Sequence, residues 1–205
     1  SGMVADVCLS LFEPMLDLGL QEFKKFSLPE EIAGEKIVVR RRTHAHDAEL
    51  FSLIDRSREH LRRFLFWIDG TGTLDDVRVV TDIFSENWDA QKSFEYVFFD
   101  KISGKMVGAG GVHTISHMNR MAEFGYYLDK DACGNGYATE FVRLLEKELF
   151  AHGIHRCVIE CDAENLASAA VAKRLGYTFE GKLRDAKFAY GAYRDGLVFS
   201  KLENE

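Results

Sequence analysis

The chain has 205 residues, 46% hydrophobic and 29% charged, with only two prolines. It is long enough to bury a full core without disulfide or metal staples, and its composition excludes collagen-like, disordered and low-complexity classes. A formal net charge of -7 gives a nucleic-acid partner no global attraction and suits an amine or basic peptide better, although mild acidity also serves solubility alone.

Cys8, Cys133, Cys157 and Cys161 form no CxxC pair and read as reduced thiols. No apolar run approaches the roughly 18 residues of a membrane span, and the start lacks a basic stretch followed by an apolar core and cleavage site. A cytoplasmic protein with no membrane partner is expected. Ser1-Gly2 ahead of Met3 reads as a tag remnant.

In chain order, residues 1–35 form an N-terminal extension. Val4, Val7, Cys8, Leu11, Met15 and Leu18 suggest a helical stripe, interrupted by Pro14. The main domain, 36–205, opens with a strand at Lys36 to Arg42, then a helix from Asp47 to Ser57 and helical spacing over 74–91. Phe94 to Phe99 and Met106 to His113 read as a β-hairpin around a polar loop with a turn glycine. Ala122 to Leu128 reads as a strand in which Gly125 permits a bulge. A helix at Thr139–His152, a buried strand at Cys157–Cys161 and a helix at Ala167–Leu175 make a βαβ crossover. Strands at Tyr177–Glu180 and Leu197–Leu202 enclose a polar excursion at 182–195. The class is α+β.

The strongest local signal is Gly134-Asn135-Gly136-Tyr137-Ala138-Thr139, between a strand and a long helix. Unpaired amides at a helix N-terminus bind phosphate, and glycines let the backbone approach it, so a pyrophosphate suits this turn. Glycines also serve as ordinary turns before helices. No third glycine follows Gly136 at Rossmann spacing, and no Gly-Lys-Ser/Thr follows as in a P-loop.

Cys133-Gly134-Asn135-Gly136-Tyr137-Ala138 resembles the Q/R-x-x-G-x-G/A pattern of the GNAT acyl-CoA N-acyltransferases, with Cys133 in place of the pattern's first residue. A longer run is similar to the RimJ/RimL branch: Asn119-Arg120, Ala122 to Leu128, the glycine turn, Asn165 with Ser168, Arg174-Leu175-Gly176-Tyr177, Glu180 to Arg184 and Gly191 to Asp195. The resemblance covers roughly 36–203 and implies a mixed, mostly antiparallel sheet flanked by helices, whose splayed central strands form an acyl-CoA cleft. It further implies acetyl-CoA as cosubstrate, held by backbone at Tyr126, Tyr127 and Leu128 and by Cys133, Gly134, Asn135, Gly136, Tyr137, Ala138 and Thr139. The acceptor implied is a primary amine, with a protein or peptide N-terminus ahead of a polyamine, amino acid or aminoglycoside. No nucleic acid is contacted directly, and a homodimer is the family's expectation. A non-catalytic acyl-CoA sensor is the reading from a different class, kept open by Cys133.

Acetyl transfer to an amine needs a deprotonated nucleophile, a polarised carbonyl and a proton for the leaving thiolate. Glu123 resembles the family's base position; its structural alternative is a carboxylate paired with Arg120 or a nearby loop. Ala172 occupies the position where many members carry a tyrosine acid, which leaves Ser168 as proton donor or as a helix-start packing residue. Asn165 caps the second helix, contacts pantetheine, or both. Phe66, Trp67, Trp88 and Tyr193 read as acceptor-cleft walls or, at helical spacing, as core. His44 with His46, and Cys157 with Cys161, lack the further ligands a metal needs, so no metal is expected.

Overall fold

The computed structural model describes residues 25–205; the helical stripe expected from Val4 to Leu18 lies outside them. Eight strands, β1 (Glu31–Ala33), β2 (Ile37–Arg41), β3 (Phe94–Asp100), β4 (Met106–Ser116), β5 (Met121–Leu128), β6 (Arg156–Asp162), β7 (Thr178–Ala189) and β8 (Ala192–Leu202), form one sheet. Their order is β1-β2-β3-β4-β5-β6-β8-β7. Among the described residues four α-helices accompany it: α1 (Asp47–Leu61), α2 (Leu74–Asp89), α3 (Tyr137–Ala151) and α4 (Leu166–Arg174). The sheet begins ahead of residue 36, and Phe26 and Leu28 are buried in the main core.

β3 reads as a continuous apolar run because both its faces are covered. Phe94, Tyr96 and Phe98 pack in a cluster with Phe141, Val142 and Leu145 of α3 and Ala169 and Val171 of α4. Val97 and Phe99 pack with Leu50, Leu53 and Ile54 of α1 and Val77 of α2. Phe98 stacks on Phe141 with centroids 4.6 Å apart. α2 starts at a reciprocal cap: Thr73 Oγ1 accepts from the Asp76 amide at 3.2 Å while the Thr73 amide donates to Asp76 Oδ2 at 2.8 Å.

The β5–β6 pair is parallel, and its pairing runs from Met121↔Arg156 only to Phe124↔Ile159. Beyond it, Gly125 to Leu128 pair with β4 alone, and Glu160 to Asp162 with β8 alone. The two central strands therefore diverge, as the fold class expected from the resemblance requires.

Two local expectations are corrected. The polar excursion at 182–195 is not a loop: β7 and β8 continue through it as a hairpin closed by Tyr190-Gly191, both at positive φ. Its residues are polar because most of this ribbon is solvated. Nor does Gly125 carry a bulge. The register shift lies opposite, between Val112 and Thr114 on β4, and a Cβ at 125 would fall 2.2 Å from His113 Nε2. Gly125 makes room for an imidazole.

Candidate active site

β5 leads through a 3-10 turn at Lys130–Ala132 into the glycine turn. Buried Asp129 anchors this entry, accepting from Arg56 Nε at 2.6 Å and from the Asp131 amide at 3.0 Å. Gly134 (φ 84°) and Gly136 (φ 83°) both occupy the left-handed region, where a Cβ is strained. Gly136 is the N-cap of α3 and has no side chain to offer, and the Glu140 amide makes its helical bond to the Gly136 carbonyl at 3.0 Å. The amides of Tyr137, Ala138 and Thr139 precede that bond and are left without helical acceptors. The result is an N-terminus open to an anion.

Among the described residues two cavities border β5, and the smaller adjoins this turn. One, of about 630 Å³, is lined by Tyr126 to Leu128, Cys133 to Thr139, Asn165 and Ser168. The other, of about 980 Å³, is lined by Glu123, His113, Trp67, Glu160 and Asp162 among others. Tyr126, Tyr127, Asn165 and Ser168 border both, so the cavities meet where β5 and β6 part. Glu123, Ser168 and the residues expected to hold the coenzyme all line one or other of these two adjoining cavities.

Glu123 is half-buried and does not pair with Arg120, which instead reaches Glu203 at 3.0 Å and the Gly153 carbonyl at 2.6 Å. The other acids of that wall have cationic partners: Glu160 has Lys187 at 3.1 Å, Asp162 has Arg194, and Glu95 has His113 at 2.7 Å. Among the described residues Glu123 has no ion pair of its own. Burial and the Glu160 charge raise its pKa above the ordinary carboxylate value, against Lys187, His113 and Thr114, which lower it. For His113, burial lowers the pKa, but the Glu95 carboxylate and the charge of Glu123 outweigh it and the net shift is upward.

Ser168 Oγ lies 3.0 Å from the Tyr126 hydroxyl, and burial holds that phenol well above its usual pKa. Asn165 Oδ1 accepts from the Ser168 amide at 3.1 Å, so Asn165 is the cap of α4. Cys133 is exposed, with Sγ 3.6 Å from His60 Nε2; burial around the sulfur and the charges of Asp129 and Asp131 raise its pKa. Tyr137 donates its hydroxyl to Asp100 Oδ2 at 2.7 Å, and Thr139 Oγ1 accepts from Arg174 at 3.2 Å. These side chains are tied elsewhere, which leaves the turn's backbone to face a ligand.

Of the aromatic residues, Phe66 and Trp67 line the larger cavity, with Trp67 edge-on to Tyr127 at 5.3 Å. Trp88 is core, packed on Phe94 and Tyr96, and Tyr193 lies exposed against Phe188. His44 bridges Asp47 at 2.7 Å and Asp82 at 2.8 Å, and among the described residues no group of three or more His, Cys, Asp or Glu is placed to hold a metal. Sequence reasoning missed the Tyr126 hydroxyl and the Glu95–His113 pair. A lone acid inside the apolar run Phe94 to Phe99 was a usable signal for Glu95; His113 had none.

Residues 36–178 match the family model described as Acetyltransferase (GNAT) domain. The chain belongs to the GNAT acetyltransferases. This acetyltransferase is 27% identical over 158 residues to the ribosomal-protein-serine acetyltransferase of Escherichia coli (strain K12), across 77% of the chain and 87% of that protein. Its fold is similar to RimL, a ribosomal L7/L12 alpha-N-protein acetyltransferase in complex with coenzyme A. There the TM-score is 0.81 and the identity 25%, covering 84% of this chain and 98% of the other. It is also similar to the microcin C7 self-immunity acetyltransferase MccE in complex with acetyl-CoA and AMP, with TM-score 0.81 and 25% identity over 85% of this chain and 97% of that one. No helix among the described residues is long and apolar enough to cross a membrane.

Proposed function

We propose that this GNAT enzyme moves the acetyl group of acetyl-CoA to the α-amine of a protein or peptide N-terminus. The observation that carries the reading is the junction of the two cavities at Tyr126 and Ser168, with unpaired Glu123 on the wall of the larger. The smaller cavity suits the coenzyme, its pyrophosphate on the α3 amides and its pantetheine arm beside Tyr126 to Leu128. The larger one suits a chain terminus, and its walls combine aromatic surface with the carboxylate of Glu123, which has no ion pair among the described residues and can attract an ammonium. The ribosomal acceptors named for the relatives favour a protein over a small amine.

Glu123 takes the proton from the incoming ammonium, directly or through water, and the freed amine attacks the thioester carbonyl. A backbone amide near Leu128 polarises that carbonyl. As the tetrahedral adduct collapses, the C–S bond breaks, the thiolate takes a proton from the Ser168–Tyr126 hydroxyl pair, and the surplus proton on the new amide nitrogen leaves to water, which reprotonates the pair. The same reading has the protein working in the cytoplasm as a homodimer.

The test is calorimetric titration with acetyl-CoA, followed by thiol release against N-terminal peptides, spermidine and an aminoglycoside. Peptide-stimulated release supports the proposal. Absence of coenzyme binding would sink it, and faster release with spermidine would move the acceptor to small amines.

A further inference from the structure

The turn that meets the pyrophosphate lacks the side-chain N–H donor that the family pattern supplies as Gln or Arg, because that position is Cys133. A cation reaches the same turn from a distant strand. Lys36 stands immediately before β2, and its Nζ donates to the Asn135 carbonyl at 3.0 Å. The ammonium lies 3.5 Å from where a Cβ on Gly136 would project, and Lys36 lines the smaller cavity with the turn.

This placement is fixed from both ends. The buried carboxylate of Glu140, one turn into α3, accepts the Lys36 backbone amide on Oε1 at 3.0 Å and Oε2 at 3.2 Å. The helix whose N-terminus receives the anion therefore also holds the strand that carries the ammonium. One carbonyl satisfies one of the three ammonium protons and leaves two for another acceptor. Among the described residues no carboxylate forms an ion pair with Lys36. The side chain is exposed, so phosphate oxygens can reach it at little desolvation cost.

We propose that Lys36 is a coenzyme-binding residue, supplying to the pyrophosphate the charge that Cys133 does not. The inference rests on the acetyl-CoA reading above. It differs from a purely structural role for Lys36 in its dependence on the ligand's phosphates and not on the pantetheine arm.

The test is calorimetric titration of the wild type, Lys36→Met and Lys36→Arg with coenzyme A, dephospho-coenzyme A and pantetheine. Methionine keeps most of the aliphatic stem and removes the charge. We expect Lys36→Met to weaken coenzyme A about tenfold, the scale of one charge-assisted hydrogen bond, and to leave pantetheine within twofold. The loss persists with dephospho-coenzyme A, which retains the pyrophosphate. Lys36→Arg holds most of the affinity, and Cys133→Gln introduced into Lys36→Met regains part of it. Unchanged coenzyme A binding in Lys36→Met overturns the proposal, as does equal weakening of coenzyme A and pantetheine. A loss that vanishes with dephospho-coenzyme A overturns the assignment to the pyrophosphate. Failure of the wild type to bind coenzyme A at all falls on the parent reading, a result the Lys36 variants cannot produce.

Discussion

Burial and the Glu160 carboxylate hold Glu123 above the usual carboxylate range, with Lys187, His113 and Thr114 pulling it down. A base must be ionised to accept a proton, so kcat/KM should rise with pH through this raised value. Glu160→Gln removes a like charge and should move the acid limb of the profile to lower pH; Lys187→Met removes an opposite charge and should move it higher. Glu123→Gln should lower kcat/KM on the order of 100-fold or more, measured by thiol release. Full activity in that variant would return Glu123 to a positioning role. Tyr126→Phe and Ser168→Ala should each lower kcat on the order of 100-fold. The double variant should fall short of the product, because the two hydroxyls share one hydrogen bond. Glu123 and Ser168 were legible as candidates because each lies in a run that resembles the family. The phenol of Tyr126 was not, since only its backbone entered the argument and its partner is 42 positions away.

At the scale of elements, periodicity found β3, β4, β5, α2 and α3 because each has a buried face that leaves apolar residues at strand or helix spacing. It failed on the outer halves of β7 and β8, where a solvated ribbon leaves no such signature, and on β1, whose three residues are too few to alternate. Gly125 was noticed for the wrong reason: what it accommodates is set by the pairing of β4 with β5, invisible before the register is known. Gly125→Ala should destabilise the fold by about 1–3 kcal/mol, the range for overpacking, read as a lower urea midpoint. Adding His113→Ala should recover most of the loss. A Gly125→Ala midpoint equal to that of the wild type would mean that the imidazole moves aside without strain.

For the whole molecule, the decisive geometry is one passage with two chambers, meeting at Tyr126, Tyr127, Asn165 and Ser168. With a separate chamber for each ligand on the proposed reading, a ternary complex should form, with initial-velocity lines that intersect and are not parallel. Cys161, a cysteine that lines the larger chamber, has its thiol pushed upward by burial, which disfavours the thiolate that an acetyl-cysteine intermediate would need. Parallel lines with trapped acetyl-enzyme would contradict this. The mixed sheet and the splay were foreseeable from the crossover and the family pattern; the junction required coordinates, because its walls come from β5, the start of α4 and the segment after α1 at once. The Glu140 contact to Lys36 spans 104 positions and the Lys36 contact to Asn135 spans 99. Contacts this distant in sequence carry a large loop-closure penalty. A chain whose first strand has not docked on α3 has its glycine turn without Lys36 beside it, and so lacks the full anion pocket. On the proposed role of Lys36, coenzyme occupancy would act as an inspection of completed assembly, adding most stability to those copies whose first and middle segments have found each other.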